Sequence, residues 1–99
     1  MAHPSKTKGT RYERELVTQA KRAGLTAERA PGSNGRALGH TETVDLIVAG
    51  IKMQAKRRKT LPAYLTIPKG ADVTVFRADH HESMVLMPWQ VFLEWLKKG

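Results

Sequence analysis

The sequence predicts a small α/β protein with a mixed central β-sheet flanked by helices, in the order α-β-β-(α)-β-β-α. Three observations carry that expectation. An apolar stripe at helical spacing lies near the N-terminus, two apolar runs meet at Ala49-Gly50, and a segment apolar at every third or fourth position follows Pro88. A length of 99 residues suits a single domain over 1–99, because domains run from about 50 to 250 residues. Residues 1–7 are expected to form a flexible tail.

The first helix is expected from Lys8 or Thr10 to Ala23, with Tyr12, Leu16, Ala20 and Ala23 on its apolar stripe and Gly24 as its stop. Pro31 to Thr41 is rich in breakers and lacks apolar periodicity, so it reads as a long mobile loop. Val44 to Ala49 and Ile51 to Arg57 read as the strands of a hairpin about Ala49-Gly50. One short helical turn is expected over Leu61 to Leu65. A strand is expected from Ala71 to Ala78, with Val73 and Val75 facing one way. Asp79 to Glu82 then forms a turn and Ser83 to Met87 a further strand. Pro88 opens the last helix, Trp89 to Lys98, with Trp89, Phe92, Leu93 and Leu96 on one face.

Charge narrows the function. The net charge is +8, and residues 1 to 70 hold 14 basic against 5 acidic side chains, while residues 71 to 99 hold 3 against 4. No acid occurs between Leu46 and Ala71, where Lys52, Lys56, Arg57, Arg58, Lys59 and Lys69 lie. That asymmetry is the footprint of a phosphate-backbone binder; the alternative is a generic basic surface. The absence of cysteine excludes disulfides, thiolate zinc sites and cysteine nucleophiles. No run is apolar enough for a membrane span or a secretory signal, so a cytoplasmic protein with no membrane association is expected. The glycine-rich loop lacks the Gly-Lys-Ser/Thr end of a P-loop, and no small-molecule cofactor is expected. His80-His81 reads as an exposed turn, and Ser33 has no evident base to make it an independent nucleophile.

Helix phase places Glu13 inside the apolar arc of the first helix, between Ala20 and Val17, whereas Arg14, Glu15, Thr18 and Arg22 fall outside it. A carboxylate there needs compensation, either from a cation in a cleft or from a paired arginine. In a symmetric hairpin about Ala49-Gly50, Val48 faces Ile51, Leu46 faces Met53 and Asp45 faces Gln54. Alternation adds Lys56 to the face of Asp45 and Gln54, which Ile47 and Lys52 share. Two carboxylates and an amide oxygen are hard ligands suited to magnesium or manganese, and a neighbouring lysine suits phosphodiester hydrolysis. The plainer alternative is a salt bridge from Asp45 to Lys56 or Lys52 on a solvated face. Val91 and Trp95 make the last helix apolar on a second side, which suits a homodimer.

Three segments carry a family resemblance. Lys8-Gly9-Thr10-Arg11-Tyr12-Glu13-Arg14-Glu15-Leu16-Val17, Ala27-Glu28-Arg29-Ala30-Pro31-Gly32-Ser33 and Val44-Asp45-Leu46-Ile47-Val48-Ala49-Gly50 resemble the archaeal-type Holliday-junction resolvases of the PD-(D/E)xK nuclease superfamily. The likeness covers roughly residues 8 to 58, and the part after Leu61 is compact, closer to viral or phage-like versions. It implies a small PD-(D/E)xK nuclease-like fold and a homodimeric, Mg2+-dependent endonuclease (Mn2+ as a possible substitute) cutting four-way DNA junctions. Position by position, Glu13, Asp45 and Gln54 resemble metal ligands, Lys56 the catalytic lysine, and Ser33 a residue approaching the scissile phosphate. Arg29, Arg57, Arg58 and Lys59 resemble the basic surface that holds junction arms, to which Lys8, Arg11 and Arg36 are added as expected DNA contacts. One departure is that Gln54 stands where the family carries glutamate, which keeps an oxygen and removes a charge. The alternatives are a non-catalytic nucleic-acid-binding module and a nuclease acting on duplex ends or flaps.

Overall fold

A computed structural model of the protein describes residues 4–30 and 43–99. Two compact units divide it, one within Met1–Arg57 together with Gly99, the other Arg58–Lys98. The first contains helix α1 (Pro4–Arg22) and strands β1 (Ala27–Arg29), β2 (Leu46–Val48) and β3 (Ile51–Met53).

Helix α1 starts ahead of the expected Lys8 and takes in residues assigned to a flexible tail. Pro4 suits a first helical turn, where its missing N–H has no intrahelical partner to lose. Gly9 is tolerated inside the helix at a cost of about 1 kcal/mol relative to alanine. The other end closes as the sequence suggests. Gly24 takes a φ of 88°, its N–H donates to the Lys21 carbonyl at 3.0 Å, and the Leu25 N–H reaches the Ala20 carbonyl at 3.1 Å. These two bonds form a Schellman cap, which satisfies carbonyls the helix end would leave unpaired.

Strands β1, β2 and β3 form one antiparallel sheet in that order. Ala27, Glu28 and Arg29 of β1 pair with Val48, Ile47 and Leu46. On the other side Leu46, Ile47 and Val48 pair with Met53, Lys52 and Ile51. The two-residue hairpin is therefore centred on Ala49-Gly50 as expected. Ala49 at φ 50° and Gly50 at φ 81° are both left-handed, the signature of a type I′ turn whose twist matches the strands. Helix α1 packs on β1 and β2. Leu16 and Ala20 from the helix are buried, as are Ala30, Val44, Leu46 and Val48; Ala20, Ala30, Leu46 and Val48 are completely so. β1 itself was not foreseen, because three residues without a β-branched or aromatic side chain give no strand signal.

The second unit contains β4 (Thr74–Phe76), β5 (Met84–Leu86) and α2 (Trp89–Lys98). Over the expected helical turn, the Leu65 N–H donates to the Pro62 carbonyl at 2.9 Å, closing a single turn. The Thr74 hydroxyl donates to the Thr66 carbonyl at 2.6 Å, and the rings of Tyr64 and Phe76 lie 6.2 Å apart, fastening this segment to β4. β4 and β5 pair as Thr74↔Leu86, Val75↔Val85 and Phe76↔Met84. Val75 and Val85 face outward together, at 65% and 56% exposure. Helix α2 has the expected bounds. Leu93 is buried, Trp89, Phe92 and Leu96 are half-buried, and Trp95 is exposed. His80 and His81 sit in an exposed turn, with His80 at φ 63°.

The architecture is thus mixed α/β. Among the described residues it holds two antiparallel sheets rather than the single mixed sheet expected.

Candidate active site

Helix phase delivers Glu13 to the interior, where it is 6% exposed, while Arg14, Glu15, Thr18 and Arg22 face solvent. The compensating charge is an arginine. Nε of Arg29 donates to Oε1 of Glu13 at 3.0 Å, and the two side chains are 23% and 8% exposed. Arg29, expected on the DNA-holding surface, has its guanidinium on the Glu13 carboxylate. The cause is register. Arg29 pairs with fully buried Leu46, so both side chains belong to the sheet face on which α1 lies.

Asp45 stands just before β2. In a continuous ladder its partner would be Gln54. Its N–H instead donates to the Met53 carbonyl at 2.8 Å, although Met53 is already the partner of Leu46. Two residues facing one is the pattern of a β-bulge, which bends the strand and re-aims the side chain. The regular pairing therefore stops at Leu46 and Met53, short of the expected Asp45–Gln54 pair. The Asp45 carboxylate closes the gap: Oδ2 accepts the Ala55 N–H at 2.8 Å. Asp45 consequently brackets Gln54, bonding the backbone on either side of it. A second flank is held by the Ala30 N–H, which donates to the Asp45 carbonyl at 3.0 Å.

Asp45 is half-buried, and Gln54 and Lys56 are exposed. The salt bridge weighed above, from Asp45 to Lys52 or Lys56, does not form; among the described residues the ion pair is Glu13–Arg29. Lys8 is half-buried, and Arg11, Arg57, Arg58 and Lys59 are exposed, with Arg58 and Lys59 in the second unit. Ser33, Arg36 and the loop 32–41 lie outside the described residues.

Backbone connections thus bring Arg29, Asp45 and the start of the Gln54-Ala55-Lys56 segment to one end of the sheet, and the Arg29 ion pair ties Glu13 to the same end. Among the described residues no three His, Cys, Asp or Glu side chains gather as a metal group, and the amide oxygen of Gln54 is the expected third ligand. The donor chemistry fits a hard divalent cation: two carboxylates and an amide oxygen, with Oδ1 of Asp45 making no hydrogen bond among the described residues. The charge is smaller than in an all-carboxylate set, because Gln54 contributes none and Arg29 neutralises Glu13. Two features escaped the sequence: the inward arginine, which needed the register of β1, and the Ala55 amide that anchors Asp45. No known protein-family model, curated protein or solved structure matches the chain.

Proposed function

We propose that the protein is a metal-dependent, structure-selective DNA endonuclease of PD-(D/E)xK type, acting on four-way junctions as a homodimer. The observation that carries this reading is a bulge-held Asp45 meeting the Gln54-Ala55-Lys56 segment at one sheet end, with a buried Glu13 tied through Arg29 to the neighbouring strand, in a chain of net charge +8.

Glu13, Asp45 and Gln54 would hold Mg2+, which when bound polarises phosphate oxygens and activates water. The protein's own groups do the rest. The Ala55 N–H fixes one Asp45 oxygen, leaving Oδ1 to turn toward the site. Nζ of Lys56 donates to a non-bridging phosphate oxygen and offsets charge that develops as the bond breaks. Arg57, in the same unit, contacts a neighbouring phosphate, which positions the DNA without reading its sequence. In a dimer two such sites would meet strands of opposite arms. Among the described residues no helix is long and apolar enough to cross a membrane.

A second reading draws on the Glu13–Arg29 pair and on Gln54. With less negative charge for a metal, the protein would bind junctions by shape without cutting them.

Cleavage of a labelled four-way junction separates the two. Wild type and Lys56→Ala are compared in Mg2+ and in chelator, beside a linear duplex of the same arms. Paired, metal-dependent cuts that fall by about 100-fold or more in Lys56→Ala are expected. Tight junction binding without a cut under any divalent metal would select the shape reader. Equal cutting of the duplex would point to a nuclease of ends or flaps.

A further inference from the structure

We propose that Arg29 sets the divalent-cation affinity of this site: its guanidinium is the resident counter-ion of Glu13, and an incoming metal ion must compete with it. The inference rests on reading Glu13 and Asp45 as metal ligands, and it assigns Arg29 a positioning role in place of a DNA contact.

Burial gives the first reason. Burying a carboxylate whose side chain is 8% exposed is costly without an opposite charge beside it, and Nε of Arg29 at 3.0 Å supplies one. Arg29 is 23% exposed, so its guanidinium lies closer to water than the carboxylate it serves. Position gives the second reason. Arg29 is the cross-strand partner of Leu46, and the next residue, Ala30, bonds the Asp45 carbonyl. The arginine charge is thus built into the strand beside Asp45. Charge gives the third. Glu13 and Asp45 supply two negative charges, Arg29 cancels one, and Gln54 supplies none. A divalent cation therefore meets a weaker attraction than the two carboxylates without the arginine would offer.

Groups that support metal ligands shift affinity by about 10–100-fold when altered. The expectation here has the opposite sign to the usual loss, because Arg29 competes with the metal.

Mn2+ binding to the full chain, followed by the electron paramagnetic resonance of free Mn2+, tests this independently of cleavage. Arg29→Gln keeps a hydrogen-bond donor for Glu13 and removes the charge; it is expected to bind Mn2+ about tenfold or more tighter than wild type. Arg29→Lys keeps the charge and is expected to match wild type. Adding Glu13→Gln to Arg29→Gln is expected to abolish the gain. Arg29→Gln binding no tighter than wild type, or a gain that survives Glu13→Gln, would overturn the inference. Should Arg29→Gln unfold in chelator, recovery of its helical signal on adding Mn2+ supports the inference and failure to recover overturns it. Wild-type binding that is lost in Asp45→Asn but unaffected in Arg29→Gln removes Arg29 alone. No Mn2+ binding by any variant removes the metal site as well.

Discussion

Replacing the two members of the Glu13–Arg29 pair, singly and together, is expected to expose a strong coupling. Their contact is 3.0 Å, and the side chains are 8% and 23% exposed, so neither charge is fully hydrated. With charge centres about 4 Å apart and an effective dielectric near 20, the attraction is about 4 kcal/mol, offset in part by desolvation. Arg29→Met removes the opposite charge beside the more buried partner and is expected to cost about 3 kcal/mol. Glu13→Gln leaves an arginine that can turn toward water, for a cost of about 2 kcal/mol. The double variant removes both charges and is expected to cost far less than the two singles together, a coupling of about 2 kcal/mol or more. Urea unfolding followed by far-ultraviolet circular dichroism, to which α1 contributes, measures each corner of the cycle. A coupling below about 0.5 kcal/mol, the level of an exposed ion pair, would refute the reasoning.

Two further substitutions test the framework that holds the site. Leu46→Ala empties a completely buried position on the central strand of the first sheet and is expected to cost about 3 kcal/mol or more in urea unfolding. Ala49→Asn places a residue tolerant of the left-handed region at φ 50°, and is expected to raise stability by about 0.5 kcal/mol, read as a higher thermal midpoint.

What the sequence revealed follows from which signals are local. Pro88 and the spacing of Trp89, Phe92, Leu93 and Leu96 define α2, because a helix is specified by neighbours three and four apart. Ala49-Gly50 centres the hairpin because two left-handed residues in succession leave little choice of turn. β1 was hidden because Ala27, Glu28 and Arg29 become a strand only through their ladder to β2, a contact about twenty residues away in sequence. The same register explains the site. Helix phase placed Glu13 inside, but the identity of its partner depended on which face of β1 carries Arg29. The bulge at Asp45 was equally illegible: alternation predicts a continuous pairing with Gln54, and the carboxylate-to-amide bond at Ala55 replaces it. In the second unit, the outward turn of Val75 reflects a two-stranded sheet, whose faces are not fixed by the alternation of one strand.

Both tryptophans of the chain, Trp89 and Trp95, lie in helix α2 of the second unit. Among the described residues Nε1 of Trp89 is buried without a hydrogen-bond partner, whereas Trp95 is 62% exposed. The indole emission of this protein is therefore expected to have two components, a bluer one from Trp89 and a redder one from Trp95. Neither originates in the unit that carries Glu13, Arg29 and Asp45. Loss of the blue component on heating would mark the melting of α2 packing in the second unit, an optical signal separate from the ellipticity to which both helices contribute.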